Sequence, residues 1–475
     1  MKTPCIFALL SLLGSALAGQ VTILGINDMH ADIDNLPQLA YFLKEERAKT
    51  PGTLLLSAGD NRTGSPYVDA VGEPGMPMIQ LMNQLGFDAS TLGNHEFDAG
   101  EKMLRDCIDA AHFPFICANV RVKSGAELNL KPYHFFERDG VRICVLGFVQ
   151  TGANGLPDAH PDQVKGLSFR NPFEAVRDYA FLREKCDLLI LVTHMGFEDE
   201  VKLAEIFPEA DVIIGGHSHT RIEKETVVNG VLVTQTEDKA KFISRIIFQV
   251  ENGKVNHRQY ELVSLRDLPK DSDMLRAVTE AKNNPDMVRE LARVKAPITR
   301  RESLGCMMAD AIRYAAGTDI AIINMGNVRQ DSFTGTVIRV EDCYRLDPFG
   351  NKTVVLKVSG EELINFLNAI PATDHHGAPC VSGMRYKAIK PNAELLPMLI
   401  TEAQLEDGTP IDPEKSYTMA TNSYLLSTVP ALPADPGITT ETDGAGSMIR
   451  FLEQQKEIDY SNVSRVELRS NKTQS

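Results

Sequence analysis

Five short apolar runs in the first half of the chain each stop at side chains that ligate metal ions. Residues 21–26 stop at Asn27-Asp28-Met29-His30, and residues 53–58 stop at Gly59-Asp60-Asn61. Residues 87–92 lead into Gly93-Asn94-His95, residues 188–192 into Thr193-His194, and residues 212–214 into Gly215-Gly216-His217-Ser218-His219. Bounded apolar runs of this length read as buried strands. In open α/β sheets, ligands collect at the carboxyl ends of the strands. Five ends on one edge of one core would therefore gather Asp28, His30, Asp60, Asn94, His194, His217 and His219. Five of the eleven histidines fall at these ends, a concentration that chance placement does not explain.

The middle run carries the densest chemistry. Asn94, His95, Glu96 and Asp98 crowd behind an apolar approach within five positions. One reading is a strand that ends at a reaction centre, with Asn94 or His95 meeting a metal or a phosphate. The other is a polar turn with Asp98 capping the helix that follows. The donor set as a whole favours the first. Asp, His and Asn without Cys select borderline to hard divalent ions: zinc, manganese, iron(II) or cobalt. Seven donors exceed the needs of one tetrahedral ion, so two ions sharing a carboxylate fit better. Two ions about 3.5–4 Å apart clamp both oxygens of an in-line phosphoryl displacement and lower the pKa of a bound water.

Composition narrows the partners. At 475 residues, 43% hydrophobic and 24% charged, the chain reads as two or three globular domains. A net charge of −15 argues against a nucleic-acid polymer as partner, because a phosphate backbone wants a basic surface. A small anionic substrate needs only a few local cations. Residues 1–18 stand apart. Lys2, the apolar stretch 6–13 and Ala16-Leu17-Ala18 form the pattern of a secretory signal peptide cleaved after Ala18. That stretch is too short to span a bilayer. The expectation is an exported protein, periplasmic or secreted, with no membrane contact after signal cleavage. Seven cysteines follow the leader, without a C-x-x-C, which argues against a thiolate zinc site. Cys117, Cys144 and Cys186 read as small buried hydrophobes, and a bridge such as Cys107 with Cys117 stays open.

The motifs I-N-D-M-H-A-D, S-A-G-D-N-R-T-G-S-P, F-D-A-S-T-L-G-N-H-E-F-D, T-H-M-G and G-G-H-S-H-T occur in that order. Together they resemble the 5′-nucleotidase family of dinuclear metallophosphoesterases. The resemblance implies an α/β protein: an N-terminal calcineurin-like metallophosphoesterase α/β/β/α sandwich, with a second, smaller α/β nucleotide-recognition domain. It implies two divalent metal ions, zinc first, with manganese, cobalt or iron as alternatives. The first ion would be held by Asp28, His30, Asp60 and His219. The second would be held by Asp60, Asn94, His194 and His217, with Asp60 bridging. His95 would face the transferred phosphoryl and Asp98 would orient its ring. Glu96 reads as a structural partner. The implied activity is hydrolysis of nucleoside 5′-monophosphates to nucleoside and phosphate by a metal-activated hydroxide.

Further along, residues 231–236 and 243–250 read as a closing antiparallel strand pair. The catalytic domain is expected over 19–268, a linker helix over 269–297, and a substrate-binding domain over 298–475. By resemblance, Arg301 and Arg329 would reach phosphate or ribose, since an arginine fork suits phosphate oxygens. Asn324 would contact the base edge, and Phe349 and Tyr424 would sandwich the base. Here the chain departs from the family. Asn324-Met325-Gly326-Asn327 replaces a glycine-rich turn, and the G-G-D-G turn after Tyr424 is absent. Asp435 and Asp443 are both candidates for its sugar-binding aspartate, and spacing selects neither. Two other readings fit the same residues. One keeps the centre and changes substrate, to 2′,3′-cyclic nucleotides (with 3′-nucleotidase action) or UDP-sugars. The other is a nucleotide-binding or adhesion protein without turnover.

Overall fold

Both faces of the first strands are apolar, so the sheet they form must be covered twice. In Ala18–Ile26, Val21 and Ile23 point one way and Leu24 and Ile26 the other. Leu54 and Leu56 alternate with Leu55 in the same manner. The computed structural model describes residues 18–371, 377–390 and 397–470, so the expected leader lies outside the described residues but for Ala18.

Two sheets stack face to face. One has seven strands, in the order Lys254–Ser264, Phe242–Glu251, Ala18–Ile26, Leu54–Ser57, Ala89–Ser90, Phe115–Ile116 and Leu130–Lys131. The other has six: Thr226–Val228, Val231–Thr234, Val212–Ile214, Leu188–His194, Val141–Val149 and Tyr133–Arg138. Val21, Ile23, Leu56 and Phe248 of the first meet Ile143, Val145, Ile190 and Ile214 of the second in one buried layer. Leu24, Leu55 and Ile243 pack outward with residues of the helices Leu36–Lys49 and Met76–Leu85. Leu189, Leu191 and Ile213 pack outward with Leu203 and Ala204 of the helix Phe197–Ile206. The result is the α/β/β/α sandwich.

The central strands of each sheet run parallel. Ile23 pairs with Leu54, and Leu56 with Ala89. Ile190 pairs with Val212 in one direction and with Val145 in the other. Parallel register puts all their carboxyl ends on one edge of the sandwich. Three of the five ligand-bearing ends come from the seven-stranded sheet and two from the six-stranded one.

Three expectations need correction. Residues 231–236 and 243–250 do form strands, but they do not pair. Val231–Thr234 runs parallel to Val212–Ile214, whereas Phe242–Glu251 pairs antiparallel with Ala18–Ile26. Val231–Thr234 is buried on both faces, whereas Phe242–Glu251 alternates buried Ile246, Phe248 and Val250 with Arg245, Gln249 and Glu251, and each sits in a different sheet. The extended run 87–92 forms ladder pairs only at Ala89–Ser90. The linker helix ends early. Ser272–Ala281 is helical, capped by Asp271 Oδ1, which accepts from the N–H groups of Asp273 and Met274 at 3.0 Å each. Pro285 bars its continuation. Glu290–Val294 is a strand of the second domain, between Val337–Arg339 and Glu457–Ile458.

That second domain centres on a five-stranded sheet, in the order Cys380–Ser382, Ile320–Ile323, Ser416–Asn422, Lys352–Ser359 and Ile438–Asp443. Its long helix Arg301–Ala316 contributes Leu304, Met307 and Met308 to a core continuous with that of the linker helix. The seam between domains is ionic. Asp34 accepts from Lys282 of the linker helix at 2.8 Å and lies 3.5 Å from Arg345 of the second domain. Tyr67 donates its hydroxyl to Glu341 at 3.1 Å. The seven cysteines beyond residue 18 are all buried and free, so no bridge joins Cys107 to Cys117.

Candidate active site

The ligand-bearing turns leave their strands sharply. Asp28, His30, Asp60, His217 and His219 all have positive φ, between 46° and 81°. A non-glycine residue held there costs on the order of 1–3 kcal/mol, and such strain clusters where geometry serves function. Close approach demands glycine beside them. A Cβ at Gly93 would overlap Asp60 Oδ1, and one at Gly216 would lie 2.9 Å from His194 Nδ1 and 3.0 Å from Asp28 Oδ2.

Backbone carbonyls fix two imidazole tautomers. His30 Nδ1 lies 3.1 Å from Thr63 O, and His194 Nδ1 lies 2.8 Å from Ala58 O. A carbonyl only accepts, so each Nδ1 donates and each Nε2 turns inward. His30 Nε2 faces His219 Nε2 at 2.9 Å and Asp28 Oδ1 at 3.8 Å. His194 Nε2 faces Asp60 Oδ2 at 3.1 Å and Asn94 Oδ1 at 3.2 Å. Asn94 Oδ1 also lies 3.0 Å from His217 Nδ1. With Nδ1 protonated, His30 Nε2 and His194 Nε2 are lone-pair nitrogens in the neutral ring, and a cation or a proton is what reconciles them with the acceptors they face.

The protonation tendencies agree with that demand. Burial, then Arg329 and His219, holds the His30 imidazole well below its usual range. Burial acts the same way on His194, but Asp60 and Asp28 outweigh it and push that ring up to about 10. Burial would raise Asp60, yet His194 and His95 hold it well below the usual carboxylate range. Three groups have mutually close donor atoms: Asp28, His30 and His219; His30, Asp60 and His95; and Asp28, Asp60 and His194. The donor set thus fits divalent cations, with Asp60 shared between neighbouring groups.

His95 Nδ1 lies 2.8 Å from Asp98 Oδ2, which also accepts from Thr63 Oγ1 at 2.8 Å. Asp98 therefore orients the ring. The following helix, Gly100–Ala110, has Ala99 at its cap position and no side-chain cap. Glu96 is a clamp: it accepts from the backbone N–H groups of Gly93 at 2.6 Å, Asn61 at 2.8 Å and Asp60 at 2.9 Å.

The second domain reaches this pocket with two of its five expected residues in direct contact. Arg329 donates to His30 Nε2 at 3.1 Å, and its guanidinium carbon lies 5.7 Å from the Phe349 ring centre. The Phe349 ring centre is 5.6 Å from that of His95. Tyr424 stands nearby: burial, then Asp158 and Asp98, pushes its hydroxyl up to about 12. Arg301 and Asn324 lie behind. Arg301 donates to Val328 O at 2.8 Å and Met325 O at 3.2 Å, bracing the turn that carries Arg329. Asn324 Oδ1 accepts from Asn422 at 3.2 Å. Both candidate sugar-binding aspartates are engaged by backbone N–H groups. Asp435 accepts from the N–H groups of Lys357 and Gly437, and Asp443 caps the helix Gly444–Gln455 through Gly446 N.

One pocket residue escaped the sequence reading. Asp158 Oδ2 lies 3.5 Å from His217 Nε2, and its carbonyl accepts from Asn94 Nδ2 at 3.2 Å. It follows the strand Val141–Val149, which ends at Gln150, a residue that gives no metal-ligand signal. A cavity beside His30 is walled by Asp32, Thr63 and Lys239 from one domain and Arg329 and Arg345 from the other.

A two-sheet sandwich with histidine, aspartate and asparagine side chains at its strand ends defines a metal-dependent phosphoester hydrolase. Residues 21–221 match the family described as calcineurin-like phosphoesterase, and residues 278–429 match the 5′-nucleotidase C-terminal domain. The chain thus carries a calcineurin-like phosphoesterase domain followed by a 5′-nucleotidase C-terminal domain. It is 29% identical over 383 residues to a 5′-nucleotidase of Vibrio cholerae, covering 68% of each protein. It is 27% identical over 469 residues to the endonuclease YhcR of Bacillus subtilis, covering 85% of this chain and only 37% of that longer protein. The crystal structure of a 5′-nucleotidase precursor from Thermus thermophilus shares the fold, with a TM-score of 0.83 and 24% identity over 96% of this chain and 100% of that one.

Asp347 begins the loop that carries Phe349. Burial, then Asp443, pushes its carboxyl up to about 7 from an ordinary 3.8. A raised acid favours the folded state below the unfolded pKa, and that contribution is lost as pH rises through the folded value. Asp347→Asn should therefore gain on wild type as pH rises from about 4 to about 7, and melt higher than wild type by about 4 °C or more at pH 8. Thermal melts monitored by circular dichroism across that range check both the sign and the window.

Proposed function

We propose that this chain is an exported, divalent-metal-dependent phosphohydrolase that releases phosphate from nucleoside 5′-monophosphates. The observation that carries the reading is the inward convergence of histidine, aspartate and asparagine donors beside a separate His95–Asp98 pair. Asp28, His30, Asp60 and His219 would hold one cation, and Asp60, Asn94, His194 and His217 the other. Bound there, the two cations supply Lewis acidity and lower the pKa of a water molecule.

The remaining work falls to side chains. His95 turns its free ring nitrogen toward the centre, 3.8 Å from Asp60 Oδ2. In the imidazolium form it donates to a phosphoryl oxygen as charge develops, with Asp98 holding the ring in place. Arg329 offers a guanidinium beside His30, where the phosphate would lie. Phe349 covers the His95 side of the pocket, stacks on a base or sugar face and excludes water.

A second reading keeps this centre and widens the leaving group to cyclic nucleotides or UDP-sugars. It is favoured by the engagement of Asp435 and Asp443 in backbone turns, which leaves the sugar side of the pocket without that carboxylate. A substrate panel of AMP, 2′,3′-cyclic AMP, UDP-glucose and an aryl phosphate separates the two. AMP should have the highest kcat/KM, and preference for a diester would move the assignment to the second reading.

Chelation should abolish turnover, and zinc, manganese or cobalt should restore it; full activity after exhaustive metal removal would refute the proposal. His95→Ala should lower kcat by about 100-fold or more while elemental analysis finds the metal content unchanged. Export rests on residues 1–18, and among the described residues no helix is long and apolar enough to cross a membrane. The protein recovered from outside the cytoplasm should begin at Gly19 by N-terminal sequencing; an intact Met1 would remove the export proposal.

A further inference from the structure

Behind the histidine-bearing turns lies a carboxylate and an amide that touch none of the seven donors. Glu200, in the helix Phe197–Ile206, is fully buried. Its Oε1 accepts from Gly216 N at 3.0 Å, Thr193 Oγ1 at 3.2 Å and Met195 N at 3.4 Å. Its Oε2 accepts from Gln235 Nε2 at 2.6 Å. Gln235 follows the strand Val231–Thr234 and is also fully buried. Its Nε2 donates a second time, to Gly216 O at 3.0 Å. Its Oε1 accepts from Thr220 N at 2.9 Å and Ser218 Oγ at 3.0 Å.

These contacts bracket the ligands. Thr193 and Met195 flank His194; Gly216, Ser218 and Thr220 flank His217 and His219. Two turns from neighbouring strands are thereby fastened to one buried pair. His217 and His219 need such fastening, since both sit at positive φ, 81° and 53°. Gly215 lies flat against the carboxylate: a Cβ there would overlap Glu200 Oε2.

We propose that Glu200 and Gln235 are positioning residues that preset the His194 and His217–His219 turns for cation binding. The proposal rests on the metal-site reading above. Groups that orient ligands from behind commonly change metal affinity by about 10- to 100-fold when altered. In Glu200→Gln, the new amide confronts the Gln235 amide donor to donor and breaks the pair. Glu200→Gln combined with Gln235→Glu exchanges acid and amide across the same bond and restores it, while the donation to Gly216 O is lost.

The test is titration of the metal-free full chain with cobalt(II), followed by visible absorption, for wild type, Glu200→Gln and the exchanged double variant. Wild type should take up cobalt with a spectrum of low coordination number. Glu200→Gln should bind about 10- to 100-fold more weakly, and the exchanged variant should recover part of that loss. At saturating cobalt, KM should be unchanged in both. A Glu200→Gln affinity within about twofold of wild type overturns the positioning role alone. Wild type that binds no cobalt overturns the metal reading and this inference together. Should Glu200→Gln not fold, the exchanged variant decides: a folded chain with weakened cobalt affinity and no recovery counts against the pair, and wild-type affinity supports it.

Discussion

Two fully buried carboxylates, Asp28 and Asp60, face histidine nitrogens across 3.1–3.9 Å, and the rest of the structure is arranged to make that tolerable. Such a cluster does not arise from favourable packing, because burying charge is costly unless it is neutralised by a partner. The sandwich answers with rigidity. Parallel strands deliver the ligands to one edge, left-handed turns aim them, and glycines let backbone and carboxylate approach. Glu96 then fastens the Asp60 turn to the Asn94 turn through three backbone N–H groups. Strain at the left-handed turns is borne by three apolar layers, one between the sheets and one on each outer face.

Much of this was legible in the sequence because it is local. A run of apolar residues ending in Asp, His or Asn announces both a buried strand and what stands at its end. The tautomers were not legible, since Thr63 and Ala58 supply their carbonyls from elsewhere in the chain. Nor was the sheet to which each strand belongs. Residues 231–234 and 242–251 both read as strands, and only tertiary pairing assigns them to different sheets. The helix expected over 269–297 stops at Ala281, ahead of Pro285, and Glu290–Val294 serves a strand. Asp158 gave no signal because its loop is long and its strand ends in glutamine.

The second domain was harder to read for a related reason. Its contribution depends on how loops from different strands meet a surface belonging to the first domain. Arg329 and Phe349 do meet it, against His30 and His95. Arg301 instead braces the Arg329 turn, a role that a motif cannot distinguish from ligand contact. The substitution of prolines for a glycine-rich turn after Tyr424 was visible, and the structure gives its outcome: both nearby aspartates are engaged by backbone.

Asp34 follows His30 by four residues and joins Lys282 of the linker helix to Arg345 of the far domain. Any swing of that domain must first part those charges, and the tug falls on the loop that presents His30. The same swing withdraws Arg329 from the His30 ring. Posture of one half is thus mechanically coupled to the grip of the other, and a severed N-terminal half would be a different receptor for cations, not a smaller version of the same one.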